Sequence, residues 1–242
     1  MHTRDLTASH AGALMAHIAS ASGAIPVKVH PETGAPPKVA PFVTISREAG
    51  AGGTSLGIRL ARVLNDRDRC EPSWESFDRE LVEKVAADHN ISEKLIEMLD
   101  TRERTWLDVL LEDGATSEFG LRQRIAKTVR ALAQVGRTII VGRGGVFITR
   151  GMPGGIHVRL IAPLTHRIEN FARENSITTP EATQRVNELD RRRLDFYRRN
   201  WDIRALTADM FTVTFNTAQI DIDAMATALA TMIPKQPRKM AT

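Results

Sequence analysis

Three glycines, Gly50, Gly52 and Gly53, lie between a β-branched run and a leucine-rich stretch of helical spacing. A glycine-rich turn between a strand and a helix lets several backbone N–H groups point inward, and this arrangement attracts anions. The first turn of the helix adds its own unpaired N–H groups and the positive end of its dipole. The chemistry that this spacing favours is the binding of phosphate groups.

The loop matches the phosphate-loop pattern GxxxxGK[ST] only in part. Over residues 47–54 the chain has REAGAGGT, so that Gly52 and Thr54 match the pattern. Arg47 stands in place of the first glycine and Gly53 in place of the lysine. The lysine normally reaches the β- and γ-phosphates, and Arg47 is the candidate that replaces its charge. A strand-to-helix turn that needs glycine only for its geometry remains the alternative.

The candidate contacts to the donor phosphates comprise this loop and the first helical turn. They are Arg47, Gly50, Ala51, Gly52, Gly53, Thr54 and Ser55. The hydroxyl of Thr54 occupies the position whose side chain binds Mg²⁺ in this motif, so Thr54 is also the candidate metal ligand. Glu48 is the neighbour of Arg47 in the chain, and we expect the two side chains to pair.

An arginine follows one of the most apolar runs of the chain. Arg143 comes after the run Thr138–Val141, at the end of a predicted strand where open α/β sheets bind their ligands. A planar guanidinium pairs with two phosphate oxygens at once, which an ammonium group does less well. Arg143 is therefore a candidate phosphate ligand, and pairing with a local carboxylate is the alternative.

A cluster of arginines lies on a long basic helical stretch. Its members are Arg191, Arg192, Arg193, Arg198 and Arg199. Three consecutive arginines point to different sides of a helix, so at most two face one site. Asp190 can orient one of them, and Arg193 is the preferred candidate. The alternative is a solvated basic face.

Asp78 follows a weak strand signal and precedes a helical pattern. Its carboxylate is suited to hold a ribose hydroxyl or a metal-bound water. Aspartate is also a favoured first residue at a helix N-terminus, and the two roles are compatible.

Strand and helix patterns alternate along the chain. The strands are predicted at Pro41–Ser46, near Cys70–Phe77, and at Thr138–Val141, Ile156–Ala162 and Phe211–Phe215. The helices are predicted at Leu56–Leu64, within Asp78–Leu111, at Leu121–Val135, from Pro163 to about Glu174, at Pro180–Arg199 and at Ile222–Ile233, with a break at Gly114–Gly120. Such alternation predicts an α/β fold in which a parallel sheet is covered on both faces.

Composition excludes several classes of protein. The 242 residues suit one α/β domain, and the single cysteine, Cys70, excludes a disulfide framework and a multi-cysteine metal site. No apolar run approaches the roughly 20 residues of a membrane helix, and no export signal is recognisable; we expect a cytoplasmic protein. The net charge of +4 does not by itself indicate a nucleic-acid partner.

Six segments of the chain resemble the cytidylate-kinase-like family, in the family's order. They are VTISREAGAGGTSLGIRLARVL (43–64), FDRELV (77–82), TIIVGRGGVFI (138–148), HVRLIAPLTHRIENFAR (157–173), LDRRRLDFYRRNW (189–201) and FTVTFNTAQIDIDAMATAL (211–229). The resemblance implies a nucleoside monophosphate kinase fold, which is a parallel-sheet sandwich of the P-loop NTPase type. It also implies a helical acceptor insertion at about 79–120 and an arginine-rich lid at about 176–202.

The resemblance implies a phosphotransferase that uses ATP and Mg²⁺ to phosphorylate a nucleoside monophosphate such as CMP or dCMP. It makes Arg143 a ligand of the acceptor phosphate, with Asp78 and Arg191 as further acceptor-binding residues. Arg143, Arg167 and Arg193 are the residues to which it gives a catalytic role: Arg143 would bind the acceptor phosphate, and Arg167 and Arg193 would neutralise phosphate charge as the lid closes.

Three departures separate the chain from true cytidylate kinases. Gly53 replaces the loop lysine, Gly144 stands where an aspartate follows Gly-Arg, and the strand TIIV ends without an acidic residue. Two other functions therefore stay open: a nucleotide-sensing or regulatory module that binds without transfer, and a kinase for another small acceptor.

Three segments make up the predicted domain organisation. Residues 1–38 form an N-terminal arm with a Pro-rich linker, 39–234 the kinase-like domain, and 235–242 a basic tail. The arm suits docking to a second copy of this chain or to another protein.

Overall fold

The computed structural model describes residues 40–69, 73–80, 82–83, 117–201, 204 and 206–235. The predicted arm and linker (1–38), most of the acceptor insertion and its helices, and the basic tail beyond residue 235 lie outside the described residues. The domain boundaries proposed from the sequence therefore stay predictions.

A five-stranded sheet forms the centre of the fold. Its strands are β1 (Phe42–Arg47), β2 (Glu75–Asp78), β3 (Thr138–Val141), β4 (Gly155–Ile161) and β5 (Val213–Asn216), in the order β2-β3-β1-β4-β5. All four strand pairs are parallel, as the sequence predicts. The central position of β1 places the loop that follows it at the middle of the ligand-binding edge.

The helices connect and cover these strands. They are α1 (Gly53–Asp68), α2 (Ser117–Val135), α3 (Gly145–Ile148), α4 (Leu164–Asn175), α5 (Thr179–Asn200) and α6 (Ile222–Met232), with a 3₁₀ turn at Ala208–Met210. The predicted break at Gly114–Gly120 is wrong over its last four residues, because α2 already begins at Ser117. One glycine inside a helix costs only about 1 kcal/mol relative to alanine, which a helix of 19 residues tolerates.

Two apolar layers cover the two faces of the sheet. On one face α1 and α6 pack against the sheet, with Leu56, Leu60 and Leu229 among the fully buried residues. On the other face α2 packs, with Val129 and Leu132 against strand residues. Because both faces are covered, β1 is buried over its first five residues and β3 over all four, instead of being buried at alternate residues.

Helix α5 runs without interruption through the predicted lid segment. Thr178 begins it with a capping box in which the Thr178 side chain and the Glu181 side chain cap each other's backbone N–H. The helix then continues for 22 residues to Asn200. Its buried residues Ala182 and Val186 pack with Ala49 of the glycine loop, so the lid helix lies directly against that loop. No helix in the described ranges is long and apolar enough to span a membrane.

Candidate functional site

The glycine loop leads from the end of β1 to the first turn of α1. Gly50 and Gly52 have φ angles of +76° and +75°, which side chains rarely adopt. A Cβ atom on Gly50 would also lie 2.1 Å from the carbonyl oxygen of Arg167. Gly52 is the N-cap residue of α1 and provides no capping side chain. Geometry thus explains the glycines, and it also leaves the start of α1 open to an anion.

Gly53 is the point at which the Arg47 side chain crosses the start of α1. A Cβ atom at Gly53 would lie 2.9 Å from Cγ and 3.1 Å from Cδ of Arg47. A lysine at this position would therefore meet the stem of Arg47. The two departures from the phosphate-loop pattern are coupled in space, because the larger residue at position 47 needs the smaller residue at position 53.

The positive charge of the Arg47 guanidinium is only partly balanced by its surroundings. Its Nη1 atom is buried and has no hydrogen-bond partner in the described part of the chain. Burial lowers the pKa of Arg47 to about 10, and the positive charge of Arg193 adds to this lowering. Asp78 and Tyr197 offset the effect in part. Arg47 therefore remains protonated at neutral pH without a full set of partners.

Asp190 on α5 joins three groups around the glycine loop. Its Oδ1 atom accepts hydrogen bonds from the backbone N–H of Ala49, at 2.9 Å, and from Nη1 of Arg193, at 3.0 Å. Its Oδ2 atom pairs with Arg167. We call Asp190, Arg167 and Arg193, with the backbone of Ala49, the Asp190 hub. The hub ties the loop to the lid helix.

Arg167 is almost completely engaged by protein groups. It donates hydrogen bonds from Nε to the Ala162 carbonyl, at 3.0 Å, and from Nη1 to the Ala49 carbonyl, at 3.1 Å. Besides Asp190, Glu48 also pairs with it, at 3.3 Å. The residue is 8% exposed. The contacts of Arg167 hold the glycine loop in place, and its catalytic role stays a prediction.

The expected pair of Glu48 and Arg47 is not formed, because Glu48 pairs with Arg167 instead. The carboxylate of Glu48 also accepts a hydrogen bond from the backbone N–H of Ala162, at 3.1 Å. Adjacent residues at the end of a strand point to opposite sides. The side chains of Arg47 and Glu48 thus lie on different sides of the glycine loop, although the two residues are neighbours in the chain.

Arg143 lies just beyond β3, beside an aromatic ring. Its guanidinium carbon is 4.9 Å from the centroid of the Phe196 ring, and its Nη1 atom donates to the Arg192 carbonyl at 3.2 Å. Neither of these contacts is with a carboxylate. The cationic group therefore keeps donors available to a ligand, as the phosphate-binding prediction requires.

A pocket of about 160 Å³ opens beside Arg143. Most of its wall is apolar and comes from α2, from β3 and from the aromatic rings at the end of α5. Its lining includes Val129, Ile140, Arg143, Phe196 and Trp201, with the charged side chains of Arg79 and Glu83. The pocket thus combines flat apolar surfaces with two arginines, which suits a planar ring that carries an anionic group.

Gly144, the second departure from true cytidylate kinases, borders this pocket through Trp201. Gly144 has a φ of +75°, and a Cβ atom there would lie 2.4 Å from Cη2 of Trp201. The indole ring of Trp201 also stacks on Phe147, with centroids 4.9 Å apart. The space of the expected aspartate side chain is therefore filled by an aromatic cluster.

The other predicted site residues differ in their exposure and in their contacts. Thr54 is exposed on the first turn of α1, and Ser55 donates to Glu174 at 3.3 Å. Asp78 ends β2 and lies within electrostatic reach of Arg47. Arg191 is exposed on α5, whereas Arg193 is partly buried in the Asp190 hub.

The described residues suit a Mg²⁺ ion only if phosphate oxygens of a nucleotide supply its other ligands. Among them no group of three His, Cys, Asp or Glu side chains is arranged to hold a metal. Proteins commonly bind Mg²⁺ through one or two carboxylates together with the phosphates of the substrate. Thr54 and Asp78 offer a hydroxyl and a carboxylate of this kind.

Sequence reasoning did not find the role of Asp190 at the loop, nor the contributions of Arg79 and Trp201. The contact between Ala49 and Asp190 joins residues 141 positions apart. Nothing local in the sequence marks such a contact. The acidic residue in front of three arginines was the available signal, and it indicated the Arg193 pair alone.

The glycine loop at the centre of a five-stranded parallel sheet, with an arginine-bearing helix packed on it, defines a P-loop kinase type of fold. Residues 42–219 match the sequence profile of the cytidylate kinase-like family, and the chain belongs to that family. The class to which the family belongs is that of nucleotide-binding phosphotransferases. Comparison with curated proteins found no match to the sequence.

Several solved structures of low sequence identity resemble this chain. A protein of uncharacterized function from Eubacterium ventriosum superimposes with a TM-score of 0.59 at 16% identity, over 80% of this chain and 97% of its own. Shikimate kinase from Bacteroides thetaiotaomicron gives a TM-score of 0.44 at 16% identity, over 79% of this chain and 97% of its own. A gluconokinase from Sinorhizobium meliloti gives 0.39 at 16% identity, over 80% and 93%.

Proposed function

We propose that the protein transfers the γ-phosphoryl group of ATP, supplied with Mg²⁺, to a nucleoside monophosphate such as CMP or dCMP. The observation that carries the proposal is the position of the apolar pocket. It lies beside Arg143 at the same edge of the sheet as the glycine loop. Membership of the cytidylate kinase-like family supports this assignment.

The donor nucleotide would place its phosphates at the glycine loop. The uncapped N-terminus of α1 offers N–H groups to phosphate oxygens. The Asp190 hub keeps the loop in this shape, since it holds the backbone of Ala49 from both its N–H and its carbonyl. Thr54 and Asp78 would hold the Mg²⁺ that neutralises the phosphate charge.

The acceptor would place its base in the pocket, between the apolar wall of α2 and the rings of Phe196 and Trp201. Its phosphate would bind Arg143, whose guanidinium lies over the Phe196 ring. An anionic oxygen of this phosphate attacks the γ-phosphorus as the bond to the β-phosphate oxygen breaks, and ADP leaves. No general base is needed, because the attacking oxygen carries no proton at neutral pH.

The test is a coupled assay of ADP release with ATP–Mg²⁺ against CMP, dCMP, UMP, AMP and GMP, with binding of each nucleotide followed by thermal shift. Turnover with one acceptor is expected. The variant Arg143→Met should raise the acceptor KM by about 10- to 100-fold, as for a lost hydrogen bond to a charged group, and should lower kcat. Its matched control is Arg150→Met, which changes an exposed arginine beyond α3.

A second candidate function is a nucleotide-binding module that does not transfer phosphate. The observation in its favour concerns two of the positions at which the chain departs from true cytidylate kinases: the Arg47 side chain lies against Gly53, and Trp201 lies against Gly144. Tight ATP binding without ADP release under every acceptor would support this module and reject the kinase. Unchanged kinetics of Arg143→Met would reject the acceptor site as assigned.

A further inference from the structure

The stem of Arg47 fixes where its charged end lies. Because a Cβ atom on Gly53 would lie 2.9 Å from Cγ and 3.1 Å from Cδ of Arg47, the side chain of Arg47 crosses over the first turn of α1. The guanidinium lies beyond this crossing, within electrostatic reach of Arg193, Asp78 and Arg79. These three residues come from the lid helix and from the end of β2, so the group lies between the glycine loop and the acceptor side.

Positive charge exceeds negative charge around this point. Asp190 is occupied by Arg167 and Arg193, and Glu83 pairs with Arg79 at 2.5 Å. The buried Nη1 atom of Arg47 has no acceptor in the described part of the chain. An unsatisfied buried donor is costly, and several cations at one edge favour an anion that binds between them.

We propose that Arg47 has taken over the role of the missing loop lysine, as the cation that binds the terminal phosphates of the donor. Gly53 is glycine because Arg47 passes across it. The proposal rests on the proposed function in one respect: it takes the glycine loop as the site that binds the phosphates of the donor. It assigns the polyphosphate chain as the chemical class of ligand that Arg47 recognises.

The alternative role of Arg47 is packing, since its methylene groups cover Gly53. Arg47→Met separates the two roles, because methionine keeps a flexible apolar stem of similar length and removes the charge. If Arg47 is a ligand group, this variant should lose phosphate affinity and yet form a more stable free protein, since the unpaired buried cation is gone. A purely packing residue would give neither result.

The experiment measures thermal unfolding and the binding of inorganic tripolyphosphate and of ATP–Mg²⁺ by titration calorimetry. For Arg47→Met we expect a rise in Tm of roughly 2–4 °C and a tripolyphosphate Kd about 10- to 100-fold weaker. Arg59→Met is the matched control, because Arg59 lies on α1, is partly exposed and pairs with Asp223 at 2.6 Å. Wild-type affinity in Arg47→Met, or no tripolyphosphate binding by the unmodified protein, would overturn the proposal.

A reciprocal exchange tests the link between the two positions. Gly53→Lys alone forces two long cationic side chains into one space, and we expect it to lower Tm and weaken tripolyphosphate binding. The double variant Arg47→Gly with Gly53→Lys has the full pattern GEAGAGKT, and we expect it to recover part of the lost affinity. Wild-type affinity in Gly53→Lys alone, or no recovery in the double variant, would contradict the exchange.

The outcomes keep this proposal separate from the kinase assignment. Tripolyphosphate binding requires neither an acceptor nor turnover. If the unmodified protein binds it through Arg47 but phosphorylates none of the five nucleotides, the role of Arg47 stands and the proposed function fails. If turnover occurs and Arg47→Met changes neither turnover nor binding, the proposed function stands and the role of Arg47 is rejected.

Discussion

Arg167 and Arg47 approach the same glycine loop from two sides, and their surroundings differ in almost every respect. Arg167, from α4, has two carbonyl oxygens and two carboxylates around its guanidinium. Arg47, from the end of β1, has a buried nitrogen without a partner and a neighbouring arginine. The first set of contacts is complete within the protein, whereas the second is completed only by an anion.

The two arginines show two different uses of positive charge around the glycine loop. Buried charges that are fully paired fix the shape of a site. Charges left unpaired raise the energy of the free protein and mark where binding energy is available. Residue type alone does not distinguish the two, since both groups are arginines that lie against the same loop. Variants on the two sides should therefore have opposite effects on stability.

The largest effect is expected on the paired side, for Asp190→Ala. The variant leaves Arg167, Arg193 and the Ala49 N–H without their shared acceptor. Breaking a buried ion pair costs about 3 to 5 kcal/mol, and we expect a loss of about 3 kcal/mol because the Asp190 side chain is 30% exposed. Urea unfolding followed by circular dichroism measures it.

The control for this variant is Glu188→Ala, which removes an exposed partner of Arg192 one turn away on the same helix. Exposed i,i+4 pairs contribute about 0.3 to 0.5 kcal/mol. Equal losses for the two variants would show that the hub is no more than a surface pair.

A second test compares two glycines beyond β3. Gly144→Ala places a Cβ atom 2.4 Å from Trp201 at a φ of +75°, and we expect a loss of about 2 kcal/mol. At Gly142 a Cβ atom would have no neighbour within 4 Å, so Gly142→Ala should change the unfolding free energy by less than about 0.5 kcal/mol. Similar stabilities for both variants would mean that Trp201 does not depend on Gly144.

The pH dependence of the unfolding free energy tests whether burial lowers the pKa of Arg47. Burial lowers its pKa to about 10, so between pH 10 and the higher pKa of the unfolded chain the unfolded state binds more protons than the folded state. The contribution of Arg47 to the unfolding free energy therefore increases with pH in that window. The gain in unfolding free energy from Arg47→Met, about 1 kcal/mol at pH 8, should begin to shrink as the pH exceeds 10. Chemical unfolding at pH 8 and pH 10.5 measures the gap, and a constant gap would contradict the assigned cause.

The smallest effect concerns a histidine away from the loop. Burial lowers the pKa of His157, and its Nδ1 atom lies 2.8 Å from Oγ1 of Thr44. The unfolded chain takes up this proton as the pH falls through about 6.5, before the folded chain does, so stability decreases on acidification. In His157→Gln the loss between pH 7 and pH 5.5 should be smaller by less than about 1 kcal/mol. Identical unfolding midpoints in both proteins at both pH values would exclude this role.

The sheet was predictable from the sequence because its signals are local. The short β-branched run of β1 and the continuous run Thr138–Val141 of β3 mark these strands in the sequence, and the run of β3 indicates a strand covered on both faces. β2 gave a weak signal, since of its four residues Phe77 alone is buried. Helix α3 has four residues and is too short to show a helical period.

The site was only partly predictable, because its decisive contacts join distant segments. Both substitutions in the phosphate-loop pattern are visible in the sequence, yet the contact between Arg47 and Gly53 needs the turn of the chain at Gly50 and Gly52. Likewise, Trp201 follows α5 and lies against Gly144, which is far from it in the sequence. Residue types and spacing identified the participants, and folding decided their partners.

Helix α5 carries contacts to both halves of the site on one uninterrupted element. Asp190 holds the glycine loop, and Phe196, six residues further on and about 9 Å along the helix axis, lines the pocket beside Arg143. Two ligands that bias the position of the same helix change each other's affinity by the same factor. If both the donor and the acceptor nucleotide bias the position of α5, each would therefore change the affinity of this protein for the other by the same factor.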